Sequence, residues 1–249
     1  MGPFRIFIGW DSREDLAFQV CRQSLMRHSS APLQVTPIRQ PDLRRRGIYW
    51  RAGDILSSTE FSFTRFLTPY LAEYDGWALF VDCDFFFRGD IAPLLDYQDK
   101  SKALYCVKHS YAPPEPLKMD GQIQTQYPRK NWSSFMLINC GHEQVKALTP
   151  GVVNTETGLY LHRFNWLADD VIGELPITWN YLEGWHTSRD CSDPIGVHFT
   201  RGGPWLDAWK DVEYANEWNQ HSFLYDSSPC TRRDLFHYNS SGRSSRPTL

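Results

Sequence analysis

The pattern of apolar and polar positions at the start of the chain predicts strands that alternate with helices. Short apolar runs over Arg5–Asp11, Leu33–Ile38 and Trp77–Val81 have the length of buried strands. Between the first two runs, one helical face collects Ala17, Val20, Cys21, Ser24, Leu25 and His28. This order predicts an α/β domain with parallel strands, in which ligands bind at the carboxyl ends of the strands.

The segment between the second and third strands carries a second helical pattern. A polar loop is expected to follow the second strand until about Ser58. Residues Ser58–Tyr74 then place Phe63, Phe66, Leu67 and Tyr70 on one face. Pro69 is expected to bend or break this helix, because proline lacks the amide proton that the helix interior needs.

The second half of the chain is less regular. Strands are predicted over Lys102–His109 and Phe135–Cys140, with a proline- and glutamine-rich loop, Ala112–Lys130, between them. The run Ile195–Trp205 is predicted as a strand that ends in a Gly-Gly-Pro turn. The polar tail, residues 238–249, is predicted to be disordered.

Composition and charge narrow the class of protein. The chain has 249 residues, of which 41% are hydrophobic and 22% charged, so it can bury a sizeable core. A net charge of −3 gives no reason to expect a nucleic-acid partner. The one basic cluster, Arg39–Gly47, is expected to be a solvated face, with peripheral contact to an acidic membrane surface as the alternative.

The cysteines and the hydropathy pattern bear on location. Six cysteines are scattered without CxxC pairs, which favours reduced, buried thiols over disulfides or a zinc site. The sequence shows no apolar N-terminal signal and no run of about 18 apolar residues, so no membrane span is expected. Both observations predict a cytoplasmic protein.

Two aspartates follow the third predicted strand directly. In an extended chain Asp82 and Asp84 face one side and Cys83 faces the other. Two carboxylates held that close repel each other, and a divalent cation removes the conflict. Oxygen ligands suit Mg²⁺ or Mn²⁺, which often also bind substrate phosphates, so the pair predicts a metal–diphosphate site. In the alternative reading one aspartate caps a turn and the other is solvated.

The strand near the carboxyl end offers further candidate ligands. His198 ends this strand and could supply a neutral imidazole as a third metal ligand. Arg201 could hold diphosphate charge, and Gly202 and Gly203 would let backbone amides approach a phosphate closely. The alternative is that His198 is an ordinary, hydrogen-bonded histidine of a strand.

The segment Phe63–Leu95 resembles the central segment of family 8 glycosyltransferases, which include glycogenin and bacterial lipopolysaccharide galactosyl- and glucosyltransferases. The matching residues are Arg65, Pro69, Tyr74, Asp75, Asp82, Asp84, Gly89 and Asp90. Three further segments resemble family motifs in the same order, namely "WSSFMLINC", "LPITWNY" and "HFTRGGPW". The resemblance spans roughly residues 5–205.

This resemblance implies a fold, a reaction and a cofactor. The fold is the GT-A type, a Rossmann-like nucleotide-binding α/β domain with a mixed central sheet, here expected over residues 1–237. The reaction transfers a hexose from UDP-glucose or UDP-galactose, with retention of anomeric configuration. The acceptor would be a glycan, a lipid-linked saccharide or another hydroxyl compound. The cofactor would be Mn²⁺, or Mg²⁺, held by Asp82, Asp84 and His198.

The chain also departs from the family pattern. The last motif is one residue shorter and lacks the lysine that contacts the diphosphate, for which Arg201 is the candidate substitute. Ser134 stands where a glycine usually occupies a sugar-contacting turn. Asp169 or Asp170 occupies the place of a glutamine beneath the anomeric carbon, so we expect one of them to stabilise the oxocarbenium ion or act as the nucleophile. The alternative is that both cap the following turn.

Four more residues are assigned to nucleotide or sugar binding. Asp11 resembles the acidic residue that contacts uracil or ribose, although it, or Ser12, could instead cap the first helix. Arg65 is expected to pair with the nucleotide or with an acidic residue. Asn180 and Trp205 are expected to line the sugar and acceptor cleft, with a place in the core as the alternative.

Two competing functions remain open at this point. An Asp-nucleophile phosphatase also uses a DxD after a strand, but it needs Thr or Val where Phe85 stands, and it places the motif on its first strand. A catalytically inactive relative that binds sugar or nucleotide would explain the missing lysine. Release of UDP or of phosphate from test substrates separates these functions.

Overall fold

The structure is a computed structural model that describes residues 2–52, 58–110 and 129–226. The predicted disordered tail, Cys230 and most of the predicted loop Ala112–Lys130 lie outside the described residues. The other five cysteines are free thiols, and all of them except Cys191 are buried, as predicted. Within the described parts of the chain, no helix has both the length and the apolar character needed to cross a membrane.

A six-stranded mixed sheet forms the centre of the fold. Its strands are β1 (Phe4–Trp10), β2 (Leu33–Arg39), β3 (Trp77–Val81), β5 (Leu104–Cys106), β6 (Phe135–Asn139) and β7 (Ile172–Glu174). Their order across the sheet is β2-β1-β3-β6-β5-β7. The first three strands are parallel, as the repeating pattern predicts, but β6 is antiparallel to both of its neighbours. The predicted mixed α/β architecture is therefore confirmed.

Helix α1 (Asp15–His28) packs its predicted face into the core. Ala17, Val20, Cys21, Ser24 and Leu25 are buried, because they recur at the helical spacing that faces the sheet. The helix has Glu14 at its N-cap position, without a side-chain capping bond. The alternative in which Asp11 or Ser12 caps this helix is therefore wrong. Asp11 accepts hydrogen bonds from Arg13, and the Ser12 hydroxyl donates to Glu60.

The segment predicted as one long helix is broken into short pieces. A 3₁₀ turn (Thr64–Leu67) leads into α3 (Thr68–Leu71), which carries Pro69 in its first turn, where no amide proton is needed. The predicted polar loop after β2 contains a short helix, α2 (Gln40–Arg45). The remaining helices are α4 (Pro150–Thr155), α5 (Gly158–His162) and α6 (Ala215–Asp226).

A second, three-stranded sheet brings distant motifs together. It consists of β4 (Phe85–Phe87), β9 (Gly196–His198) and β8 (Tyr181–Leu182), in that order. Side chains of β4 alternate, so Phe85 and Phe87 join the main core and Phe86 joins a second cluster beneath α6. β4 pairs antiparallel with β9, and Phe85 lies opposite His198. This register places His198 beside Asp82 and Asp84, which precede β4.

Candidate active site

Asp82 and Asp84 lie in the turn where the chain leaves the central sheet and enters the second sheet. They follow β3 in a turn rather than in an extended chain, but both side chains reach a common site while Cys83 is fully buried. One ligand atom each from Asp82, Asp84 and His198 lies within 4.8 Å of the other two. The three residues that the sequence singled out as metal ligands are thus brought together.

The donor set of this cluster fits a divalent cation. Asp84 Oδ1 is buried and has no hydrogen-bond partner, and it lies 3.3 Å from His198 Nε2. A carboxylate oxygen left without a proton donor in a buried position is costly, and a bound cation would satisfy it. Two carboxylates and one imidazole are ligands that Mn²⁺ and Mg²⁺ sites use, with open positions left for water or phosphate.

Arg65 compensates part of the negative charge. Its guanidinium lies 2.7 Å from Asp82 Oδ1 and also donates to the backbone oxygen of Ser133. The guanidinium also lies near two aromatic rings, 5.2 Å from the ring centre of Phe61 and 5.3 Å from that of Phe80. Burial nevertheless raises the pKa of Asp82 to about 7, with Asp84 adding to the rise and Arg65 opposing it.

Two predicted sugar-contacting residues lie behind His198. Asn180 is fully buried, and its Oδ1 lies 2.9 Å from His198 Nδ1. Its Nδ2 donates to Ser134 Oγ at 3.0 Å, and Ser134 is also buried. The described contacts of both side chains are therefore to protein groups, in a layer that supports the candidate ligand. Their predicted contact with sugar remains a prediction.

Asp11 lies at the carboxyl end of β1, at the same edge of the sheet as Asp82. Its side chain is completely buried and accepts hydrogen bonds from the backbone and guanidinium of Arg13 and from the backbone of Glu60. These hydrogen bonds hold the pKa of Asp11 below its usual value, although burial works in the opposite direction. The carboxylate ties the chain after β1 to the segment at Glu60, and its nucleotide contact stays a prediction.

The segment after His198 makes most of its described side-chain contacts with tryptophan rings. The Arg201 guanidinium lies 4.7 Å from the ring centre of Trp209 and 5.4 Å from that of Trp185, so aromatic faces hold it. Trp205 packs against Phe199 and Trp218 in the second core cluster.

The two glycines allow a tight turn directly after the candidate ligand. Gly202 has φ +114°, a conformation that other residues rarely adopt. A β-carbon on Gly203 would lie 2.1 Å from the Trp205 ring, so the lack of a side chain at this position permits close packing. Phosphate binding by Arg201, Gly202, Gly203 and Trp205 stays a prediction.

Asp169 and Asp170 lie at a different edge of the sheet. They directly precede β7, which runs parallel to β5. Strands β5 and β3 are both antiparallel to β6, so β7, β5 and β3 all run in the same direction. The start of β7 is therefore on the opposite edge from Asp82, which follows the end of β3. Asp169 is 84% exposed and pairs with Arg129, and the Asp170 backbone oxygen accepts from Lys102. The structure does not bring either carboxylate to the metal cluster.

Two buried groups near the cluster were not identified from the sequence. His109 follows β5 at the carboxyl edge, its Nε2 is buried without a hydrogen-bond partner, and the Asn180 side chain faces its ring. Burial and the neighbouring His186 and His198 lower the pKa of His109 to about 3. Glu183 is also buried, and its backbone amide donates to the His198 oxygen. Their positions at strand ends were the available signal, but no motif marks them.

Comparison with known proteins identifies the family. No family model matches the chain. It is 57% identical over 219 residues to Protein CDI of Arabidopsis thaliana, a match that covers 87% of this chain and 85% of that protein. The chain belongs to the Protein CDI family. Membership of glycosyltransferase family 8 stays a prediction.

Solved structures with the same fold are glycosyltransferases. GlyE of Streptococcus pneumoniae superposes with a TM-score of 0.60 at 16% identity, over 89% of this chain and 60% of GlyE. The bifunctional glycosyltransferase WbbM gives 0.66 at 12% identity, over 92% of this chain and 50% of WbbM. The galactosyltransferase LgtC, solved with donor and acceptor sugar analogues, gives 0.53 at 12% identity, over 91% and 98% of the two chains. The Protein CDI family chain thus has the GT-A-type glycosyltransferase fold. It spans 60% of the length of GlyE and 50% of the length of WbbM.

Proposed function

We propose that this Protein CDI family chain is a metal-dependent, retaining glycosyltransferase that transfers a hexose from UDP-glucose or UDP-galactose. The observation that carries the proposal is the convergence of Asp82, Asp84 and His198 at the carboxyl edge of a GT-A-type sheet. Ligands bind at this edge in open α/β sheets, because the loops after the strands form a crevice there. The similarity in fold to LgtC, a galactosyltransferase solved with donor and acceptor sugar analogues, supports the hexose assignment.

Asp82, Asp84 and His198 would hold Mn²⁺ or Mg²⁺. Such a cation, when bound, supplies positive charge that neutralises the diphosphate leaving group. Arg65 keeps Asp82 oriented through its 2.7 Å ion pair. Arg201, stacked on Trp185 and Trp209, supplies a further positive charge close to the ligand strand and takes the role of the missing lysine. Asp11, Gly202, Gly203 and Trp205 complete the proposed nucleotide site.

The sugar of the donor is proposed to lie on the His109 side of the metal cluster. His109 Nε2 is buried and faces the Asn180 side chain without a well-formed hydrogen bond, and a hydroxyl group of a sugar can supply one. The His186 ring centre lies 5.4 Å from that of His109, which gives this side two neutral imidazoles. The proposed acceptor is a glycan or a lipid-linked saccharide. The proposed location is the cytoplasm, with peripheral membrane contact through the basic cluster Arg39–Gly47.

The decisive experiment measures UDP release from UDP-glucose and UDP-galactose with Mn²⁺, with Mg²⁺ and after chelation. We expect release with one of the two donors, loss of release on chelation, and loss in the Asp84→Asn variant. Retention is tested by the anomeric configuration of a transferred sugar once an acceptor is found. A panel of simple saccharides provides the first acceptors. Absence of both UDP binding and UDP release in the presence of Mn²⁺ would contradict the proposal.

A catalytically inactive relative is the second candidate. The observation that favours it is the position of Asp169 and Asp170, which leaves the predicted reacting carboxylates at the opposite edge of the sheet. Binding of UDP with Mn²⁺ but no turnover of any donor would support this candidate. The phosphatase alternative would instead require phosphate release from a simple phosphomonoester, which we do not expect from a GT-A-type fold.

A further inference from the structure

A chain of hydrogen bonds runs from a backbone oxygen to the candidate metal ligand. Ser134 Oγ donates to the backbone oxygen of Asn131 at 2.7 Å, and Asn180 Nδ2 donates to Ser134 Oγ at 3.0 Å. Asn180 Oδ1 then lies 2.9 Å from Nδ1 of His198. All three side chains are at least 97% buried, so water does not compete for these bonds. The three residues are far apart in the sequence. The pairing of β8 with β9 brings Asn180 close to His198, and Ser134 directly precedes β6, which pairs with β3.

The chemistry of these groups sets the direction of every bond. A backbone oxygen can only accept, so the single hydroxyl proton of Ser134 points to Asn131. The hydroxyl oxygen must then accept from its other neighbour, which orients the amide nitrogen of Asn180 towards Ser134. A flipped amide would instead place two acceptors face to face with no proton between them. The amide oxygen therefore faces His198, and Nδ1 of His198 must carry the proton.

This direction decides which nitrogen of His198 can bind a metal. A neutral imidazole has one proton, so a proton on Nδ1 leaves the lone pair on Nε2. Nε2 is also the nitrogen that lies 3.3 Å from Asp84 Oδ1 and within the ligand cluster. The ring itself is stacked on Phe85, with the ring centres 4.3 Å apart, which prevents it from turning.

We propose that Asn180, anchored by Ser134, is a positioning residue that holds His198 in the tautomer and orientation needed to present Nε2 to a divalent cation. This inference rests on the metal site of the proposed function. It gives the two buried polar residues a role that does not require contact with sugar. It also explains why a serine at position 134 is compatible with the site, since only its hydroxyl completes the chain of bonds.

The first test measures Mn²⁺ affinity without nucleotide, by the electron paramagnetic resonance signal of free Mn²⁺. Outer partners of metal-bound histidines typically change metal affinity by 10- to 100-fold, so we expect Asn180→Leu to weaken binding about 10-fold or more. Ser134→Ala should weaken it less, by about 3-fold, because Asn180 remains but loses its anchor. Ser134→Thr keeps the hydroxyl and should restore the affinity of the unchanged protein.

The matched control is Asn154→Leu, which removes another buried asparagine whose described hydrogen bonds reach none of the cluster residues. Asn154 accepts from the backbone amides of Trp50 and Arg51 and donates to the backbone oxygen of Ile48. Its replacement should lower the melting temperature without changing Mn²⁺ affinity. If Asn180→Leu does not fold, the comparison of Ser134→Ala with Ser134→Thr decides the question, because neither change alters a large volume.

The second test reads the tautomer directly in the metal-free protein. Nitrogen-15 NMR of histidine-labelled protein, with the signal assigned by the His198→Gln variant, should show the proton on Nδ1, and Ser134→Ala should shift the tautomer balance. A His198 ring without a proton on Nδ1 in the unchanged protein would overturn the inference, as would Mn²⁺ affinity that is unchanged in both Asn180→Leu and Ser134→Ala. If the unchanged protein binds no Mn²⁺ but carries the proton on Nδ1, the proposed function fails while the positioning of His198 stands.

Discussion

His198 Nε2 lies 3.3 Å from Asp84 Oδ1, a buried oxygen that has no hydrogen-bond partner among the described residues. The contact follows from the antiparallel pairing of β4 with β9, which sets Phe85 opposite His198. The backbone amide of Phe199 also donates to the backbone oxygen of Asp84 at 3.0 Å, so the main chain holds the two motifs in register. The site is therefore a consequence of strand pairing between segments that are remote in the sequence.

Replacing Asp84 is expected to remove metal binding while the fold is kept. In Asp84→Asn the amide oxygen is a weaker ligand and carries no charge, so Mn²⁺ affinity should fall at least about 10-fold. Titration of Mn²⁺ followed by electron paramagnetic resonance measures the change. Asp207→Asn, an exposed aspartate outside the cluster, serves as the control and should bind normally. Equal affinity in the two variants would contradict the assigned ligand set.

Replacing Arg65 is expected to destabilise the protein. Arg65→Met removes the positive partner of Asp82, whose side chain is 13% exposed, and leaves a poorly solvated carboxylate. Breaking a buried ion pair on one side typically costs about 3 kcal/mol or more, which urea unfolding can measure. The double variant with Asp82→Asn removes the stranded charge and should recover part of the loss. Full stability of Arg65→Met alone would show that the pair is not needed.

His109 is expected to make the stability depend on pH. Its pKa is lowered to about 3 in the folded protein and is near 6.5 when unfolded, so between these values the unfolded chain binds more protons. The free energy of unfolding is therefore unaffected by His109 above about pH 6.5. Below that value it falls by up to about 1.4 kcal/mol per pH unit, because the unfolded chain takes up a proton that the folded protein does not. Urea unfolding at pH 7 and pH 5 should show a smaller difference for His109→Gln than for the unchanged protein. An identical difference would show that His109 does not titrate in this way.

Asp169→Asn and Asp170→Asn are expected to retain activity. Both residues lie at the amino end of β7, and Asp169 is exposed and paired with Arg129, so neither reaches the site at Asp82 in this structure. Rates of UDP release should stay within about 2-fold of the unchanged protein, because surface substitutions away from a site have small effects. A loss of several orders of magnitude in either variant would show that its carboxylate takes part in catalysis and would require a different arrangement of this segment.

The sequence by itself determined the elements whose signals are local. The strands β1, β2 and β3 and the inner face of α1 follow from side-chain periodicity, because a strand or helix face repeats every two or about 3.6 residues. The aspartate pair after β3 and the histidine at the end of β9 could be named as ligands from residue type and from the resemblance to a family. These inferences need no knowledge of which strands pair.

Only the tertiary structure decided which of the candidates share a site. The order β2-β1-β3-β6-β5-β7 separates Asp169 and Asp170 from Asp82, and the pairing of β4 with β9 joins Asp84 to His198. It also placed Ser134 and Asn180 behind the histidine and brought His109 beside them. Strand order and register depend on how all the apolar faces pack together, a long-range balance that no local pattern of residues contains.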